Sequence, residues 1–271
     1  MHGTKVSVLM SIYNNASSVD ASIQSIVDQT YTDWEMILYN DASTDESLHT
    51  LLKWQEQDGR IKVYENDHNL GLAASLNRAL EKSEGRYIAR MDGDDVAMPE
   101  RFMRQVAFLD KTPGIAIVSA SCVLFDESGE WGKRSGKPYP QKNDFLWGSQ
   151  FLHPATVMRR EALLSVGGYR ACKDTLRTED YDLFMRMYAQ GYRGHNIQEP
   201  LLYYYEPRKP RRVTFSNRMN ETKTRYKGFK ELDLMPKGLV YVTKPLLTWL
   251  LPGKIKRKLQ ERRSNKAGGG D

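Results

Sequence analysis

The chain has 271 residues, 40% hydrophobic and 27% charged, the make-up of a globular protein with room for one large domain or two small ones. No run approaches the roughly 18 consecutive apolar residues that a membrane-spanning helix needs. Cys122 and Cys172, the only two cysteines, are too few for a disulfide framework and poorly spaced for zinc. The opening "MHGTKVSVLM" runs straight into strand-like sequence, so no secretory signal is expected and the cytoplasm is the expected compartment.

The first half alternates between strand and helix patterns. "KVSVLMSIY" (5–13) predicts a buried strand, followed by a helix over 17–29. "WEMILYN" (34–40) predicts a second strand, and the stretch 45–57 a second helix with Leu48, Leu51, Leu52 and Trp54 on one side. A third strand is expected at 60–65 and a helix at 71–83, where Leu72, Leu76, Ala79 and Leu80 recur at helical spacing. "RYIARM" (86–91) reads as a fourth strand, and 99–111 as a helix opening on Pro99. Strands alternating with helices imply parallel pairing with right-handed crossovers, hence an open α/β sheet.

The second half is less regular. A long strand is expected at 114–126, then a turn-rich excursion over 127–144. Residues 153–169 read as a strand, a short helix and a glycine turn. "TEDYDLFMRMYAQG" (178–191) predicts a helix with Thr178 as N-cap and an acidic first turn. Two short strands follow, at 193–197 and 201–205, and the alternation ends at Pro207–Pro210. The tail "SNKAGGGD" reads as disordered.

In such sheets ligands bind at the carboxyl ends of the strands. Three polar clusters fall there: "SIYNN" after the first strand, "YNDASTD" after the second and "MDGDD" after the fourth. The last packs Asp92, Asp94 and Asp95 into four positions. Like charges this close repel, so they call for a cation or hydrogen-bond donors.

The stretch from "VSVLMSIYNN" through "YNDASTDES" resembles the opening of the family 2 inverting glycosyltransferases, which have the GT-A nucleotide-sugar-binding fold. "MDGDD" is similar to their Asp-x-Asp motif, and "TEDYDLFMRM" to their Glu-Asp motif ahead of a helix. The resemblance covers about 5–205, with several motifs in order. It implies an open mixed sheet flanked by helices. The expected division is a catalytic domain over 1–206, with its nucleotide-sugar half at 1–98 and its acceptor half at 99–206, and a basic extension over 207–271.

The resemblance also implies roles. Asp95 is expected as the direct metal ligand, Asp94 at the ribose hydroxyls and Asp92 as an orienting group. Hard cations such as Mn²⁺ or Mg²⁺ suit carboxylate oxygens and are held through one or two carboxylates plus the phosphates. Gly93 is expected to let the backbone turn tightly. Asp41 is expected at the base, where a carboxylate accepts from uracil N3–H, which cytosine lacks, and so favours UDP or dTDP over CDP. Tyr13 resembles the aromatic that stacks on the base, with Ser11 nearby in the same strand. Asn40 and Ala42 depart from the family's usual Asp-Asp-Gly-Ser, and the alternative is that Asp41 and Asp45 only cap the helix at 45–57.

An inverting transferase needs one base to take the acceptor's proton. Asp180 is that base by resemblance, with Glu179 orienting the acceptor, and the helix macrodipole favours their ionised forms. The alternative is that both only stabilise the helix start. His153 is placed at the diphosphate or acceptor, or else in a structural role; Trp147 and Trp131 could stack on sugar faces or pack. Arg177 reads as a phosphate contact or a surface charge.

The net charge of +6 conceals an asymmetry: residues 207–266 hold 18 Lys or Arg against 4 Asp or Glu, about +14, and the rest of the chain sums to about −8. "GLVYVTKPLLTWLLPGKIKRKLQERR" (238–263) sets apolar residues beside this charge, while Pro245 and Pro252 forbid one unbroken helix. The combination suits a segment lying on an anionic membrane surface, the alternative being helices packed on the catalytic domain. The expected partners are a UDP-sugar donor and a glycan or lipid-linked oligosaccharide acceptor, with no nucleic acid. A nucleotidyltransferase would call for a Gly-rich, cationic loop after the first strand, which "SIYNNASS" lacks. A nucleic-acid-binding protein would leave the strand-end carboxylates unexplained.

Overall fold

In the computed structural model, which describes residues 5–208 and 213–250, one continuous mixed sheet runs through the protein. The first half of the sheet is made by β1 (Val6–Ile12), β2 (Trp34–Asn40), β3 (Ile61–Glu65) and β4 (Tyr87–Arg90), all parallel. Between them run α1 (Val19–Val27), α2 (Ser47–Gln57) and α3 (Leu72–Lys82). β1 and β2 are buried on both faces, which is why they read as apolar runs rather than alternating ones.

After β4 the chain makes the short β5 (Val96–Ala97), α4 (Arg101–Lys111), β6 (Ile117–Asp126) and β7 (Gly129–Arg134). It continues through β8 (Val157–Arg159), α5 (Arg160–Ser165), α6 (Glu179–Ala189) and β9 (Gly194–Tyr205). The strand order is β3-β2-β1-β4-β8-β6-β9-β5, with β7 hydrogen-bonded to β6. β8 runs antiparallel to both β4 and β6, so it joins the two halves. The expected mixed, helix-flanked α/β sheet is what forms.

Two local expectations differ. The strands expected at 193–197 and 201–205 are one strand, β9, because the irregularity opposite Ala120 and Ser121 absorbs Pro200 without ending the pairing. The excursion after β6 also contains structure: β7 pairs back on β6, and Lys142–Leu146 form a short 3₁₀ turn.

Past residue 206 the chain keeps packing on the same body. α7 (Phe215–Glu231) lies on α6, and its Phe229 is buried with Leu232 in the cluster that holds Tyr181, Phe184 and Met185. α8 (Leu239–Val242) and α9 (Lys244–Leu250) follow. The basic run at 254–263 and the tail expected to be disordered lie outside the described residues.

Candidate active site

The acidic stretch begins where β4 ends. Ser18 Oγ donates to the carbonyl of Gly93 (2.8 Å), Ser22 Oγ to that of Asp95 (2.6 Å), and Ser25 Oγ accepts from Ala97 N–H (3.0 Å). α1 thus holds the loop along its length, while β5 pairs with β9 on the other side. Gly93 is required for a different reason than expected: its φ is not left-handed, but a Cβ there would stand 2.5 Å from Ile12 Cδ1.

Asp92 and Asp94 line a cleft of about 1250 Å³. Asp95 lies behind its wall, fully buried. One of its oxygens accepts from Tyr205 N–H (2.8 Å); the other, Oδ2, is buried without a hydrogen-bond partner. Burial, then the charges of Asp92 and Asp94, push its carboxyl well above the usual range. The three residues can each turn one oxygen to within 4.8 Å of the others. Three converging oxygens and a buried orphan acceptor fit a hard divalent cation.

Asp41, expected at the base, is held by hydrogen bonds, none of them from Asn40. Asp41 Oδ1 accepts from Asn66 Nδ2 (2.7 Å) and Leu70 N–H (2.8 Å), and Oδ2 from Gly71 N–H (2.9 Å). A carboxylate has about four acceptor positions, so capacity remains toward the cleft, which Asp41 lines. Asp41 does not cap α2; Asp45 accepts from Ser47 N–H there (3.0 Å) and from Ala16 N–H (3.0 Å). Gly71 takes φ 84° in open space, so conformation and not packing requires glycine. Ala42 takes φ 57°, the backbone a glycine would hold without strain. Ser11 and the half-exposed Tyr13 line the same cleft.

Glu179 and Asp180, the first residues of α6, line the same cleft. The expectation that the helix end keeps them readily ionised needs correction. Crowding by protein, then the neighbouring Glu179, push Asp180 up to about 6, outweighing the N–H of Tyr181 and the hydroxyl of Ser149 at 3.2 Å. Burial also raises Glu179, while the charges of Arg90 and Arg177 pull it back. Thr178 occupies the N-cap position but caps nothing with its side chain; its hydroxyl meets Thr224 of α7 at 2.8 Å. Arg177, on the cleft wall, has φ 69°.

His153 lines the cleft, but its Nε2 meets the Tyr169 hydroxyl at 2.8 Å, and burial with the Arg90 charge holds it well below its usual pKa. It is therefore neutral at pH 7. Trp147 is not among the cleft residues: it is 63% exposed, with Tyr241 against its edge and the Lys244 ammonium 4.9 Å from its ring centre. Trp131 packs on the core and donates its Nε1–H to the Glu206 carbonyl (2.8 Å).

Sequence reasoning passed over Arg90, Ser149 and Arg134, all on the cleft. Arg90 carried a legible signal, a charged residue closing an otherwise apolar strand. The other two had none: Ser149 lies in a loop and Arg134 at the end of β7, and only the fold brings them to the cleft.

The fold is that of the GT-A glycosyltransferases. S. aureus TarS residues 1–349 in complex with UDP-GlcNAc superpose with TM-score 0.68 at 18% identity, covering 91% of this chain and 71% of that one. The mannosyltransferase PcManGT of Pyrobaculum calidifontis, in complex with GDP-Man and Mn²⁺, gives TM-score 0.60 at 20% identity, covering 97% and 81%. The chain belongs to glycosyltransferase family 2: the family model "Glycosyl transferase family 2" matches residues 7–167. It is 37% identical to EpsE of Bacillus subtilis (strain 168) over 266 residues, 96% of this chain and 95% of EpsE. It is 31% identical over 204 residues to the UDP-Gal:alpha-D-GlcNAc-diphosphoundecaprenol beta-1,3-galactosyltransferase of Escherichia coli, 73% of each chain.

Proposed function

We propose that the protein transfers a sugar, with inversion, from a UDP-sugar to a hydroxyl of a lipid-linked glycan in polysaccharide biosynthesis. The observation that carries this is that two carboxylate groups line one cleft, Asp92 and Asp94 from the loop after β4 and Glu179 and Asp180 from the start of α6. The E. coli relative names a UDP-linked donor, a diphosphoundecaprenol-linked acceptor and a β product, which agrees with this reading.

Asp95 would hold a Mn²⁺ or Mg²⁺ ion, which when bound neutralises the donor's diphosphate and makes it a better leaving group. Asp41 and Tyr13 receive the base, and Ser11 and Asp94 lie where the nucleoside continues. Asp180 takes the proton of the acceptor hydroxyl as it attacks the anomeric carbon. A pKa of about 6 leaves most of it ionised at pH 7 while keeping it basic enough to accept. Glu179 orients the incoming hydroxyl, and a single displacement inverts the anomeric centre.

A lipid-linked acceptor sits at a membrane surface. No helix among the described residues is long and apolar enough to cross a membrane. Around α8 and α9, however, Leu239, Val240, Leu247 and Trp249 are exposed beside Lys244, and the chain continues into its basic run. That combination supports attachment to an anionic leaflet. The deciding experiment is a thermal-shift panel of UDP-, dTDP- and GDP-sugars with and without Mn²⁺. Stabilisation by one UDP-sugar only with the ion is expected, and no response to any nucleotide would refute the reading.

A further inference from the structure

Arg90 closes β4, where its backbone N–H donates to the Thr156 carbonyl (2.9 Å) and its own carbonyl accepts from Arg101 (2.7 Å). Its side chain is 2% exposed, yet the residue lines the cleft. A buried guanidinium is costly unless its N–H groups are satisfied. The other arginines buried among the described residues follow that rule. Arg101 donates to the Arg90 carbonyl, Gln105 Oε1 and Met91 Sδ; Arg159 to the carbonyls of Ile115 and Leu109; Arg225 to the Leu146 carbonyl and to Glu221.

Arg90 does not. Its Nη1 forms an ion pair with Asp92, but neither Nη1 nor the Nε–H, both buried, has an acceptor in hydrogen-bond geometry. It lies close enough to bias both Asp95 and Glu179 electrostatically, so it is near the acidic loop and near the start of α6 alike. The diphosphate is expected at the acidic loop and the acceptor at Asp180, so the space between belongs to the sugar being moved.

The chemistry of the pair narrows the ligand. Arg90 and Asp92 together are close to neutral, so they offer no net attraction for a second phosphate or a carboxylate. They do set a donor beside an acceptor, since Asp92 is about one-third exposed. A sugar hydroxyl, which both donates and accepts, matches that arrangement. Building on the function proposed above, we infer that Arg90, held in place by Asp92, binds a ring hydroxyl of the transferred sugar.

The test is calorimetric titration of the full chain with Mn²⁺ and UDP, UDP-glucose, UDP-galactose or UDP-N-acetylglucosamine, comparing wild type with Arg90→Lys and Arg90→Met. Both variants are expected to bind UDP within about twofold of wild type. Their affinity for the preferred sugar nucleotide, relative to UDP, is expected to fall about tenfold or more, the usual effect of losing a charged hydrogen bond. An unchanged ratio, or parallel loss of UDP and sugar-nucleotide binding, overturns the inference while leaving the donor site standing. A wild-type chain that binds neither UDP nor any sugar nucleotide overturns both readings. Deoxy analogues of the preferred sugar nucleotide repeat the test on the unaltered chain, whatever the variants' folding. One missing hydroxyl is expected to cost about tenfold, and indifference to every deletion overturns the inference.

Discussion

The hydroxyl of Thr178, at the start of α6, lies 2.8 Å from that of Thr224 in the middle of α7, and both side chains are buried. Lys223 and Lys227 on α7 also hold Asp174, and Thr224 touches the Asp174 carbonyl, so one helix anchors the loop that leads into Glu179 and Asp180. Thr224→Val should therefore lower stability by about 1–2 kcal/mol through the lost buried hydrogen bond. The turnover number should fall while UDP affinity, set by residues outside α6 and α7, stays unchanged. Thermal melts and nucleotide titration check the two halves of this expectation.

Asp180 carries the sharpest prediction. Asp180→Asn should reduce transfer by about 10²–10⁴-fold, with UDP binding nearly intact. Its folded pKa of about 6 lies above the ordinary 3.8. The folded state therefore holds this proton more tightly than the unfolded state, and ionisation costs stability as pH rises through the window from 4 to 6. Allowing for its partial exposure, the asparagine variant should be more stable than wild type at pH 7.5 by about 1–2 kcal/mol. Wild-type activity should fall below pH 6 as the base is protonated. Equal melting temperatures for the two proteins would contradict the burial argument.

Asp95→Asn keeps the shape of a fully buried side chain and removes its charge. The expected result is a folded protein whose UDP affinity no longer responds to Mn²⁺, read by titration with and without the ion. Undiminished Mn²⁺ dependence would transfer the ligand role to Asp92 and Asp94.

At Ala42 the left-handed backbone costs an alanine about 1–2 kcal/mol relative to glycine, part of which glycine gives back through its freer unfolded chain. Ala42→Gly should be stabilising by up to about 1 kcal/mol, and a lowered melting temperature would show that the turn's strain is relieved elsewhere.

For the membrane surface, Val240→Ser with Leu247→Ser should weaken co-sedimentation with vesicles rich in anionic lipid by roughly tenfold, two exposed aliphatic side chains being lost. Both positions are exposed, so folding and UDP binding should be untouched. Retained co-sedimentation would mean that charge alone, or no surface at all, holds the protein there.

By itself the sequence determined the alternation of strands and helices, and with it the sheet and the strand ends where polar residues gather. Those are local matters: side-chain periodicity marks each element, and parallel pairing sends every first-half strand toward the same edge. It also marked Asp41, Asp92 and Asp94 for the cleft, because each lies in the polar stretch just past the end of a strand. What shares the cleft with them only the tertiary structure decided. Asp180 comes to share a cleft with the acidic loop because β8, antiparallel to β4 and β6, turns the second half back toward the first. Asp95 withdraws behind Asp94 because Tyr205, 110 positions along the chain, donates to it. Trp147 faces Tyr241 and Lys244, away from the sugar site. Arg90 looked like the end of a strand and proved to be a buried cation on the cleft. Burial, and the charge that neighbours lend one another, depend on residues far apart in the chain, and no local pattern records them.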